Sequence, residues 1–66
     1  MVEQTISGYL RSLPHHEVSN LKAHANAASH EDHPSFKELQ RWAAAVLGMT
    51  IGAGTMWKVI KTIQHH

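Results

Sequence analysis

Residues 42–57 contain no charged side chain and begin and end with tryptophan. An uncharged helical run of that length must be covered, either by lipid or by protein. A spanning helix needs about 20 apolar residues, and sixteen fall short of that. Lys58 can reach outward with its ammonium group, so Val59 and Ile60 extend the apolar length to about 19. Trp42 and Trp57 then sit where aromatic belts form at the two membrane interfaces, with Arg41 and Lys58 just outside them. Gly48, Gly52 and Gly54 would each weaken a helix in water by about 1 kcal/mol relative to alanine, whereas glycine is common in membrane helices. Ala45, Gly48, Gly52 and Thr55 fall at small-residue spacing and form a candidate helix-packing seam. Trp42, Val46, Met49, Ala53, Trp57 and Ile60 make the bulky side opposite.

The signals around this run extend it into one long helix. Ser35 is a good N-cap with Glu38 three residues on, the capping-box pattern, and Pro34 suits the boundary. No proline follows, so the helix is expected to run over about residues 35–64; the 29 residues from Phe36 onward would span about 43 Å. Upstream, Ile6, Tyr9, Leu10 and Leu13 recur at i, i+3, i+4, i+7, the stripe of a short amphipathic helix. Pro14 ends it. Val18, Leu21, Ala25 and Ala28 repeat the spacing more weakly, giving a second short helix over about residues 16–28. Short helices of this kind are marginal alone in water and must lie on a membrane or a protein. The expected fold is all-α: one long C-terminal transmembrane helix in residues 34–66, preceded by one or two short amphipathic helices in a polar region, residues 1–33.

Little chemistry is visible. There is no cysteine, so no disulfide framework exists. The formal charge of +1 lacks the basic excess of a nucleic-acid binder, and no nucleic-acid partner is expected. Glu3 and Gln4 stand where a secretory signal would be basic, and a single Arg or Lys, Arg11, precedes Lys22 where a transit peptide would be richer. Seven histidines are present. His30 and His33, with Glu31 and Asp32 between them, form H-x-x-H, but Pro34 points to a loop and no further ligands are placed, so no metal site is expected. Gly48, Gly52 and Gly54 lack the Lys-Ser/Thr of a phosphate loop. No nucleophile–base pair stands out, and neither catalysis nor a cofactor is expected. Lys37 and Arg41 at one end nearly balance Lys58 and Lys61 at the other, so charge does not set a membrane orientation.

Two stretches carry a family resemblance. His33, Pro34, Ser35, Phe36, Lys37, Glu38 and Leu39, and then Leu47 through Lys58, resemble the small single-helix subunits of mitochondrial cytochrome c oxidase, the plant 5c and animal 6c type. The resemblance covers about 25 residues: the family's P-S-x-x-K-E-L entry, which reads P-S-x-K-E-L here, its L-G-x-x-x-G helix and its W-K exit. The chain departs from the family in a longer N-terminal region and in lacking its polar, aromatic tail. The resemblance implies a non-catalytic accessory subunit of a respiratory complex in the mitochondrial inner membrane, with other membrane subunits and the lipid bilayer as partners. The alternatives from the sequence are a self-assembling membrane peptide, of the phage-coat or bacteriocin kind, and a soluble helical adaptor whose 42–57 segment is buried in a partner.

Overall fold

The computed structural model describes residues 2–66. The described residues form four helices and no strand: α1 (Val2–Ser12), α2 (His15–Ala27), α3 (Pro34–Leu47) and α4 (Ala53–Gln64). The two N-terminal helices follow the spacing of their apolar residues. Ile6 and Leu10 of α1 and Val18 and Ala25 of α2 are buried. Pro14, which has no amide hydrogen to give, separates them and stands as the N-cap of α2.

The long transmembrane helix expected over residues 35–64 does not form. At Gly48 the backbone enters the left-handed region, φ 68°, which a side-chain-bearing residue adopts only at a cost. The amides of Gly48 and Met49 both donate to the Ala44 carbonyl, at 2.8 and 3.2 Å, closing the end of α3 in the manner of a glycine cap. Residues 48–52 form a turn, and α4 starts afresh with Gly52 as its N-cap. The two halves are 14 and 12 residues long, roughly 21 and 18 Å at the usual rise, against a hydrocarbon layer of about 30 Å. Among the described residues no helix is long and apolar enough to cross a membrane. The reading as a single-pass membrane protein is corrected accordingly: the glycines taken for membrane-helix packing break the helix.

The turn is fixed on both sides. Ile51 is 3% exposed and sits in the core, while the Gln40 side chain donates from Nε2 to the Ile51 carbonyl at 2.7 Å. Chain reversal there lets α4 return along α3. Helices α3 and α4 pack against each other and against both α1 and α2. The resulting body measures 28 × 22 × 17 Å, with a radius of gyration of 10.6 Å, close to the roughly 11 Å of a compact domain of this length. Its centre is wholly apolar. Phe36, Leu39 and Ala43 from α3 meet Met56, Val59 and Ile63 from α4, with Ile6 and Leu10 closing one side. No polar or charged side chain among the described residues is buried.

One further local difference concerns the start of α3. The N-cap is His33 rather than Ser35: its ring Nδ1 accepts a hydrogen bond from the Ser35 amide at 3.0 Å, with Pro34 at the first helical position. Proline suits that position because its missing N–H would be unpaired there in any case. Loss of such a cap costs about 0.5–2 kcal/mol. His33→Ala should therefore lower the melting temperature by several degrees, and His33→Asp, which keeps an acceptor, should restore most of it. Thermal unfolding followed by circular dichroism checks this, and an unchanged melting temperature for His33→Ala would remove the cap.

Candidate functional site

Helices α1, α2 and α3 diverge along one side of the body and leave a groove of about 430 Å³, open to solvent. Its origin lies in the α1 stripe. Ile6 and Leu10 turn into the core, but Tyr9 on the same helix remains 41% exposed and reaches across to α3. There its ring meets Trp42 edge to face, centroids 5.8 Å apart and planes at 71°. Such a pair satisfies the ring quadrupoles while leaving ring surface facing the groove. Leu13 and Leu21 add aliphatic walls above the buried Leu39, and Glu17 of α2 and Glu38 of α3 bring two exposed carboxylates to the rim. Glu38 is also within 3.5 Å of Arg41, both side chains being well exposed, so this pair holds Glu38 only weakly. Asn20 and His24 complete the lining; the His24 ring Nδ1 lies 3.4 Å from the Ser35 hydroxyl.

A groove with an aromatic floor, aliphatic walls and carboxylates at the rim suits a cation on an apolar stem. Ring faces attract an ammonium or guanidinium by about 0.5–1 kcal/mol at exposed sites. The carboxylates accept its hydrogen bonds, and the stem lies on leucine.

The residues singled out in the sequence fall in several places. Arg41 is exposed and pairs with Glu38. Trp42 is half-buried and forms the groove floor. Trp57 is also half-buried, and its ring stacks at a tilt on Phe36 with centroids 5.0 Å apart. Lys58 is exposed on α4. Of the small-residue seam, Ala45 is exposed on α3, Gly48 closes that helix, Gly52 opens the next, and Thr55 is half-buried on α4. The four no longer share one helix, so they form no continuous seam. The H-x-x-H histidines do stand together, ring centroids 5.7 Å apart, but His33 is engaged as the cap of α3. Among the described residues no group of three or more metal-ligating side chains converges.

Tyr9, Glu17, Leu21 and His24 were not visible as a site in the sequence. The one available signal was Tyr9: an amphipathic stripe that mixes a tyrosine with aliphatic residues places an amphipathic ring at the edge of the buried face.

Comparison with protein-family models, with curated proteins and with solved structures finds no match. The partial resemblance to oxidase subunits therefore gains no support from them.

Proposed function

We propose that this chain is a non-catalytic helical binding module whose groove between α1, α2 and α3 holds a basic segment of a partner protein. The observation that carries this reading is the Tyr9–Trp42 pair, left open to the groove and flanked by Glu17 and Glu38. An exposed aromatic pair of this kind is the sort of anchor that dominates small interfaces, where tyrosine and tryptophan are enriched. The two carboxylates supply the sign of the partner, and the leucines accept the methylene stem of lysine or arginine. The groove volume falls within the usual range of ligand-binding clefts. This is the adaptor reading with one change: the apolar side chains of the 42–57 segment that are buried, Ala43, Ile51 and Met56, lie in the chain's own core rather than in a partner. The accessory-subunit reading needed a spanning helix, and with that element gone it is not carried further.

The probe is a short lysine- and arginine-rich peptide titrated into the labelled protein and followed by chemical-shift mapping. Shifts are expected at the Trp42 indole, Tyr9, Glu17 and Glu38, and Trp42→Ala should weaken binding about tenfold, the scale of about 1.4 kcal/mol. Glu17→Gln with Glu38→Gln should weaken it further and flatten its salt dependence. Shifts spread over the whole surface, or equal shifts with an acidic peptide, would end this assignment.

A further inference from the structure

The net charge of +1 conceals a division. In residues 1–33, Arg11 and Lys22 stand against Glu3, Glu17, Glu31 and Asp32, net −2; in residues 34–66, Lys37, Arg41, Lys58 and Lys61 stand against Glu38 alone, net +3. No Asp or Glu follows Glu38. The fold turns this division into a surface. On α4 and its C-cap, Gly54, Lys58, Lys61 and His65 are exposed, and at about 100° per residue they fall within an arc of about 60°. Met56, Val59, Ile60 and Ile63 occupy the opposite side, in the core. The outward face of α4 therefore carries only basic or small residues.

A second helix adds to it. Gln40 touches Ile51, and Phe36 touches Trp57, so the chain advances along α4 while moving backward along α3. In such an antiparallel pair the residues that follow the two contact positions share a side, because the two helices turn in opposite senses when viewed from one end. Those residues are Lys37 and Lys58. Neither they nor Lys61 has a carboxylate within pairing distance; among the described residues the one ion pair is Arg41–Glu38. Lys37 also lies just inside the N-terminus of α3, where the helix dipole disfavours a cation and where the first turn carries no acid. Helix stability alone would not place it there.

We infer that the face formed by α4 and the Lys37 side of α3 binds the phosphate backbone of duplex DNA, at a surface separate from the groove. Three features select this polyanion. On α4 and beside Lys37 no large apolar side chain is exposed, whereas a helix lying in a lipid interface requires them; the exposed Met49 lies in the turn before α4. The large ring beside it, Trp57, is stacked on Phe36 rather than offered to an unpaired base. Gly54 and Thr55 keep the start of α4 slender, and a helix of this length fits a major groove about 12 Å wide.

The experiment is fluorescence anisotropy of a labelled 20-base-pair duplex of arbitrary sequence, titrated with the whole chain from low to physiological salt. Binding in the micromolar to hundred-micromolar range is expected at physiological salt, with log affinity falling against log salt at a slope near −3, for about three phosphates neutralised. Lys58→Glu with Lys61→Glu should weaken binding at least tenfold at low salt while leaving the circular dichroism spectrum and melting temperature intact, since both side chains are exposed. A slope near zero, an undiminished affinity in the Lys58→Glu, Lys61→Glu variant, or binding to phosphatidylglycerol vesicles in preference to the duplex would overturn the inference.

Discussion

Phe36→Ala should remove a large part of this protein's stability. The side chain is 2% exposed, is the largest of the fully enclosed residues, and stands between the two elements the turn brings together. Removing a buried phenylalanine ring costs about 3–5 kcal/mol, part lost transfer energy and part the cavity left behind. A domain of this length has roughly 3–10 kcal/mol of total stability at the usual 0.05–0.15 per residue. The substitution therefore consumes a third to all of it, and no disulfide stands in reserve. Urea unfolding followed by circular dichroism, with the fluorescence of the two tryptophans as a second probe, should show either a midpoint displaced far downward or no folded baseline. The four-helix arrangement makes this prediction specific. In one continuous helix the Phe36 side chain could not meet Trp57 or the rest of α4, and alanine there would cost far less. A loss below about 1 kcal/mol would mean that α4 does not return onto α3.

Much of the helical content could be read directly. The stripe at Ile6 and Leu10, the break at Pro14 and the start of α3 beside Pro34 all follow from local rules, because each depends on residues close in sequence. The failure came at residues 48–52, for a physical reason. Glycine at a helix–helix contact in lipid and glycine at a helix terminus give the same composition, and a charge-free run fits burial in either solvent. Periodicity held the missing signal. Phe36, Leu39 and Ala43 form one stripe, and Met56, Val59, Ile60 and Ile63 another. Projected on a single uninterrupted helix, the two stripes differ in direction by about 140°. A helix buried on one side cannot satisfy both, so an interruption between them was required. The groove offered no comparable clue. Tyr9, Glu17 and Trp42 come from three helices, and their proximity exists only once α1 and α2 have packed on α3. The charge division was fully legible in the sequence, but net charge averaged it away.

The glycines at 48 and 54 should respond to the same substitution with opposite signs. Neither has any atom within 4 Å of where a methyl group would be added, so sterics with neighbours play no part at either position. What differs is the backbone. Gly48 holds φ at 68°, and a residue with a Cβ in that region is strained by about 1–3 kcal/mol, with alanine at the lower end and the β-branched valine at the upper. Gly54 lies in the first turn of α4 with ordinary helical geometry, where alanine is favoured over glycine by up to about 1 kcal/mol. Gly48→Ala should therefore lower the unfolding midpoint, Gly48→Val should lower it further, and Gly54→Ala should raise it. Were residues 42–57 one unbroken helix, both alanine substitutions would stabilise by similar amounts, because each would replace an interior helical glycine. The sign at position 48 thus reports on the turn itself, independently of any ligand. A Gly48→Ala variant as stable as Gly54→Ala would place residue 48 back inside a helix. The groove would be in doubt with it, since the turn is what lets α4 fold back beneath α3 and fix the position of Trp42.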